Sequence, residues 1–513
     1  MLDGSLSSPD TRREHRSRLR PSVDRVDMLS TRSSVVGQRE SACAVVRDVP
    51  TRLTSAHLVG VCGSGMKALA ELLTGQGCRV TGSDSHLSEA RAALFEKRGL
   101  RVHAGHQTHH VDPRIDVLVY SPAVGPSNPE RQYALAEGIP QMSYSQMLGW
   151  LMRDKIGISI AGTHGKSTTT AMTGCVLRSA GLLPSVVIGA EVRGVSQGGW
   201  SGTGPHFVVE SCEFQRSFLD LSPRFAAILG IEPDHFDYFQ NFDETISAFK
   251  DFALRLPSDG ALLISNDCIA SKTAVAGLQL PIETFSLSSG ADWWAADLRP
   301  TTEGVRFRAF WKGEFFAEIG LRVPGRHNVL NSLAAMALCH QAGVDSAAIR
   351  EGLAEFRGIS RRFEAVGMWR GVLMIDDYAH HPTAVSVTLK TARERFPDRR
   401  LWCIFQPHQV SRTQALMTEF ATSLTAADEV LLVPVFAARE LVNNEADTAS
   451  QFLAGRIVAE GGRARFAGSL DHAVATLEDE LRPGDVLITM GAGDIGQVHH
   501  AFTRQLQRHP HAG

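Results

Sequence analysis

The stretch Ile160-Ala-Gly-Thr-His-Gly-Lys-Ser-Thr-Thr-Thr170 decides how this chain is read. The apolar run Ile156–Ala161 predicts a buried strand, and a helical pattern runs on from Thr168. Strand, glycine turn, lysine and hydroxyls in that order build a phosphate cradle. Gly162 and Gly165 let backbone N–H groups approach phosphate oxygens, with Thr163 and His164 between them. Lys166 supplies charge for β- and γ-phosphates, and the Ser167 hydroxyl, followed by Thr168, suits Mg²⁺. The loop is a variant of the P-loop. Ile160 stands where the first glycine is usual, and His164 lies inside the turn.

The same reading extends outward. Phe207–Glu210, Phe225–Leu229 and Ala261–Ile264 are further strands, and Trp293–Val323 alternates as antiparallel hairpins do. Pro324-Gly-Arg-His-Asn328 introduces an apolar helix, Val329–Ala342. From Gly358, strands Val372–Ile375, Leu401–Phe405, Glu429–Val433 and Val486–Thr489 alternate with helices. On the other side, strand His57–Cys62, turn Gly63–Met66, helix Lys67–Gly75 and strands Arg79–Asp84 and Val117–Ser121 form a smaller βα unit. The expected organisation is three α/β domains, at residues 51–153, 154–357 and 358–513, behind an Arg/Ser-rich extension, 1–50, expected to be disordered. That extension can also be read as an overlong start, since Met28 could begin the chain, or as a nucleic-acid arm. Asp10, Glu14, Asp24 and Asp27 argue against a targeting peptide.

Composition narrows the classes. With 52 basic and 55 acidic residues the net charge is −3, which gives no footprint of a general nucleic-acid or membrane-surface binder. No apolar run is long enough to span a bilayer, and no signal-peptide core opens the chain. Eight cysteines occur singly, with no Cys-x-x-Cys pair, as reduced thiols of a cytoplasmic protein do.

Other ionisable groups follow strands. Gly60-x-x-Gly63-Ser64-Gly65 sits at a Rossmann-type turn, with Asp84 at the end of the next strand. The turn fits a nucleotide-sugar diphosphate, a dinucleotide or a structural bend. Glu210 and Glu213 follow one strand, and Glu232-Pro-Asp-His235 follows another, where magnesium-binding carboxylates are usual. Asn328 and Asn331 open a helix, and Asn328 is expected to cap it. Arg361 and Arg362 lie at a domain boundary, from which an arginine can swing onto a γ-phosphate. Asp376-Asp-Tyr-Ala-His-His-Pro382 is dense in ionisable groups, although adjacent histidines make poor joint metal ligands.

Together, Gly60–Met66, Ala161–Ser167, Glu232–His235, His327–Asn331, Arg361–Glu364, Asp376–Pro382, Phe405–His408 and Thr489–Gly496 resemble the Mur ligase family of peptidoglycan synthesis, in family order. The resemblance implies an ATP-dependent ligase that joins L-alanine to the lactyl carboxylate of UDP-N-acetylmuramate through an acyl phosphate. It implies that Ser167 and Glu210 hold one Mg²⁺ and His235 a second. It also implies that Asn328 and Asn331 read adenine, and that Arg362 and Asp377 complete the ATP site. Lys166, His235 and Arg362 would then be catalytic. Gly63, Ser64, Gly65, Asp84 and Ser121 would bind the sugar nucleotide, with His164, His380 and Arg412 at the substrates. A monomer or weak homodimer is expected.

The chain departs from the pattern at two places. Glu210-Ser-Cys-Glu-Phe-Gln215 stands where these relatives usually carry Glu-Ala-Asp-Glu-Ser-Asp, and Gln409 stands where many carry Arg. Two rival readings are a sister ligase that attaches a preformed peptide and a non-catalytic nucleotide sensor. The short Phe218–Pro223 segment weighs against the first, and intact Lys166, Ser167, Glu210 and His235 against the second. The P-loop weighs against a dinucleotide oxidoreductase.

Overall fold

The computed structural model describes residues 48–438, 440 and 445–508. The extension expected at 1–50 lies outside them except for its last three positions. Three sheets follow one another along the chain. The first is wholly parallel, in the order β3-β2-β1-β4-β5, from β1 (Ser55–Val59), β2 (Arg79–Asp84), β3 (Arg101–Ala104), β4 (Val117–Tyr120) and β5 (Gln141–Ser143).

The second sheet has ten strands. They are β6 (Ile156–Ala161), β7 (Ser185–Val192), β8 (Gln197–Trp200), β9 (His206–Glu210), β10 (Phe225–Ile228), β11 (Ala261–Ser265), β12 (Ile282–Ser286), β13 (Trp293–Pro300), β14 (Val305–Trp311) and β15 (Glu314–Leu321). Their order is 15-14-13-12-11-10-6-9-7-8, with the two hairpins expected from the alternation of Trp293–Val323 at one edge. The third sheet orders β16 (Glu364–Trp369), β17 (Val372–Asp377), β18 (Leu401–Phe405), β19 (Glu429–Leu432), β20 (Ala464–Phe466) and β21 (Val486–Met490) as 16-17-21-18-19-20. Only β16 runs antiparallel there.

The unbroken apolar strands of the central sheet have a plain cause: both faces are covered. Val186, Ile188 and Val208 face helices Lys166–Ser179 and Arg326–Gln341. Their neighbours Val187, Phe207 and Val209 face the first sheet's helix Ser64–Gly75. Further along, Ala226, Ile228, Leu262 and Ile264 meet helix Phe242–Ala253. The buried threonines of helix Lys166–Ser179 bond inward, Thr170 Oγ1 donating to Lys166 O at 2.8 Å and Thr173 Oγ1 to Thr169 O at 2.9 Å.

The seam between the first two sheets depends on glycine. A Cβ at Gly199 would stand 1.8 Å from the Ala68 carbonyl oxygen, so only glycine admits helix Ser64–Gly75 this close. Buried Glu71 closes the seam. It accepts from Gly198 N and Gly199 N at 3.0 and 3.1 Å and pairs with Arg98.

Candidate active site

Gly162 has φ +125° and Gly165 φ +80°, conformations that glycine adopts without strain, and together they fold the cradle. Because Gly165 caps the helix in a left-handed conformation, the helix begins at Lys166, two residues before the expected start. A side chain at Gly165 would collide with Asn331 Oδ1, 2.4 Å from its Cβ position, so Asn331 lies directly against the loop. Thr163 Oγ1 accepts from Glu232 N at 2.9 Å, tying the cradle to the loop after β10. Thr168 is buried one residue into the helix beyond Ser167.

The acids stand behind the cradle. Ser167 Oγ donates to Glu210 Oε1 at 2.9 Å, while Gly189 N donates to Glu210 Oε2 at 2.8 Å. Lys166 Nζ donates to Glu213 Oε2 at 2.9 Å. Burial alone would raise the Glu213 pKa, but Lys166 and then His235 bring it down to about 2. Burial opposes the charge on Lys166, and Glu213 outweighs it, so the ammonium titrates above the ordinary lysine range. His235 Nε2 lies 3.5 Å from Glu213 Oε1. Burial opposes its charge as well, yet hydrogen bonds with Cys212 and Glu213 lift its pKa to about 10.

The third sheet closes the other side. Asp234 and Arg412 pair across the seam at 2.8 Å (Nε) and 2.7 Å (Nη2), both buried. His381 meets Glu232 at 3.6 Å and Thr383 Oγ1 donates to Glu232 at 2.6 Å, with the His164 ring 4.7 Å from that of His381. His380 turns the opposite way, its Nδ1 at Tyr378 O (2.8 Å) and its ring beside His408. Burial, then Arg412, keeps it neutral. The two adjacent histidines therefore serve different partners, as expected. Asp377 accepts from Phe363 N at 2.7 Å and Ala379 N at 2.8 Å. Burial raises its pKa against the pull of Arg362. Burial and then the charge of Arg362 lower the pKa of His327, in the first turn of helix Arg326–Gln341, to about 4.

One expectation fails. Asn328 does not cap that helix. Gly325, at φ +95°, is the cap, and Asn328 Nδ2 instead donates to Pro324 O at 2.7 Å and its Oδ1 accepts from Asn331 Nδ2 at 3.2 Å.

On the first sheet, Gly63 caps helix Ser64–Gly75 and Gly65 lies under the Tyr144 ring, 2.9 Å from its Cβ position. Asp84 accepts from Cys62 N and His86 N, both at 2.8 Å, so its carboxylate also orders the turn. A cavity of about 220 Å³ is lined by Gly63, Ser64, Gly65, Ser121 and Tyr144 on one wall and by Glu210, Cys212 and Phe214 on the other.

Family models match in three consecutive blocks. They are "Mur ligase family, catalytic domain" at 55–156, "Mur ligase middle domain" at 160–339 and "Mur ligase, glutamate ligase domain" at 361–493. The chain belongs to the Mur ligase family. Among its relatives, the UDP-N-acetylmuramate–L-alanine ligase of Desulfitobacterium hafniense is 41% identical over 86% of this chain and 98% of its own. That of Caldanaerobacter subterraneus is 36% identical over 88% and 97%. The solved UDP-N-acetylmuramate–alanine ligase of Thermotoga maritima superposes with TM-score 0.75 at 28% identity, over 88% of this chain and 99% of that one. A murein peptide ligase of Psychrobacter arcticus gives 0.69 at 27%, over 88% and 98%.

In this Mur ligase several site neighbours carried no signal of their own in the sequence. Glu213 as the partner of Lys166, Asp234 as the partner of Arg412, and Tyr144 over the first glycine turn are pairings across 47, 178 and 79 positions. Only the placement of acids after strands pointed toward the first two.

Proposed function

We propose that this ATP-dependent ligase joins L-alanine to the lactyl carboxylate of UDP-N-acetylmuramate. The observation that carries the reading is the shared cavity, which joins the glycine turn of the first sheet to Glu210 beside the phosphate cradle. A sugar nucleotide whose diphosphate sits on the N-terminus of helix Ser64–Gly75 would reach the cradle with its carboxylate.

The chemistry follows from the groups present. Gly162–Ser167 hold the triphosphate, with Asn328 and Asn331 at adenine and Arg362 and Asp377 completing the nucleotide's surroundings. Lys166 leaves Glu213 for the γ-phosphate and spreads the charge that builds as a carboxylate oxygen displaces ADP. The alanine amine then attacks the acyl phosphate, and the tetrahedral intermediate expels phosphate to leave an amide. Neutral His380, its Nδ1 turned to Tyr378 O, presents Nε2 to take the amine's proton, and Arg412 holds the alanine carboxylate nearby. Mg²⁺ fits this donor set, because Ser167 Oγ and Glu210 Oε1 form a hard oxygen pair at 2.9 Å. When bound there it would screen the phosphate charge, and His235 offers a ligand for a second cation.

We read the protein as cytoplasmic, where nucleotide-borne precursors are made, and as a monomer or weak homodimer. No helix of the described residues is long and apolar enough to cross a membrane. The test is release of ADP and phosphate with Mg-ATP, the sugar nucleotide and a panel of acceptors. Release should need both the sugar nucleotide and L-alanine. Release only with a tripeptide would select the sister ligase instead.

A further inference from the structure

The segment Glu210–Gln215, which departs from the pattern the resemblance expects, forms a donor set with His235 beside the nucleotide site. Cys212 Sγ, one oxygen of Glu213 and a ring nitrogen of His235 all lie within 4.8 Å of one another. Three protein ligands around a tetrahedral Zn²⁺ sit about 3.3–3.8 Å apart, given bonds of about 2.0–2.3 Å. His235 Nε2 and Glu213 Oε1, at 3.5 Å, already meet that spacing. Cys212, although exposed, already hydrogen-bonds with the His235 side chain. Glu213 serves two partners, since Oε2 is the oxygen nearer Lys166 and Oε1 faces His235. His235 is anchored from behind, its N–H donating to Asp234 Oδ1 at 2.7 Å and its ring packed 5.2 Å from that of Phe214.

We propose that Cys212, Glu213 and His235 form a three-ligand site for a borderline-soft divalent cation of the Zn²⁺ class. Its fourth position opens to the cavity that Cys212 and Phe214 line. Metal binding displaces the His235 ring proton, and Glu210 and Glu213 then face Lys166 alone before any thiolate is counted. Donor type sorts the ions. A sulfur, a nitrogen and an oxygen select Zn²⁺ over Mg²⁺, while the oxygen pair of Ser167 and Glu210 selects Mg²⁺. An aspartate at position 212, as the resemblance expects there, would hold a harder ion. The inference names the cation class at His235 and rests on the ligase reading only for what that cation does. The site itself is tested without substrates.

The experiment is Co²⁺ titration of the full-length protein, followed by absorption spectroscopy. The expected result is a near-ultraviolet thiolate-to-cobalt charge-transfer band that saturates at one equivalent, is displaced by Zn²⁺ and is indifferent to Mg²⁺. Cys212→Asp should lose the band while still binding Co²⁺. His235→Ala should weaken binding by about tenfold or more. Cys212 is exposed, so its replacement leaves the core intact, which circular dichroism checks. Absence of a thiolate band, or a band that persists in Cys212→Asp, overturns the proposal. Loss of ligase activity without loss of the band would instead count against the functional reading alone.

Discussion

Asp234→Ala tests how the third sheet is held against the second. The carboxylate takes two contacts from the Arg412 guanidinium, at 2.8 and 2.7 Å, with the arginine side chain 3% exposed. Among the described residues, Arg412 then keeps His408, through Nδ1 at 2.9 Å and its carbonyl at 3.2 Å. Two unit charges about 4 Å apart interact by about 4 kcal/mol at an effective dielectric near 20. Removing one partner of a buried pair costs about 3–5 kcal/mol, because the other charge stays desolvated. The pair spans the two sheets, so this cost falls on their docking rather than on either core. Docking should weaken by a factor on the order of a hundred or more. Small-angle scattering should show a larger radius of gyration for Asp234→Ala, and urea denaturation should show an earlier first transition. Replacing both partners, as in Asp234→Ala with Arg412→Met, should recover part of the loss, since no charge is then stranded. An unchanged radius together with a stability loss under about 1 kcal/mol, the range of an exposed pair, would refute the reasoning.

Lys166→Ala should lower turnover by about 10²–10³ while the sugar nucleotide still binds, as calorimetry would show; full turnover contradicts the phosphate role. Gly199→Ala places a Cβ 1.8 Å from Ala68 O and should cost at least about 1–3 kcal/mol in chemical denaturation. An unchanged midpoint would mean that the first seam yields easily. Glu130 is fully buried, with His110 Nδ1 at 2.9 Å and His57 at 3.5 Å. Burial would raise its pKa, but these partners and Ser83 bring it from 4.5 to about 2. A folded pKa below the unfolded one adds stability that is present above about pH 4.5 and is lost as pH falls toward 2, on the order of 3 kcal/mol in all. The stability gap between the native chain and Glu130→Gln should therefore shrink across that window, and a gap independent of pH would contradict it.

What could be read from sequence was local. The strand–glycine–lysine order at Ile156–Ser167 needs no distant partner, and neither does the period-two alternation of the hairpins at Trp293–Val323. Boundaries slipped where one backbone conformation decides them. Gly165 starts its helix at Lys166, and Gly325 takes the capping role expected of Asn328. The pairings that assemble the site were hidden because they join segments distant in sequence. Asp234 with Arg412 and Glu232 with His381 exist only once the second and third sheets meet. Cys212 was visible as a departure, but its meaning needed His235 beside it.

The central claim is that one carboxylate of the sugar nucleotide is phosphorylated and then captured by L-alanine. The direct measurement uses UDP-N-acetylmuramate labelled with heavy oxygen in the lactyl carboxylate, with Mg-ATP and L-alanine, and mass analysis of both products. The expected result is a sugar nucleotide heavier by one alanyl residue, and one labelled oxygen in the released phosphate. Phosphate free of label, or an amide formed without phosphate release, would contradict the account.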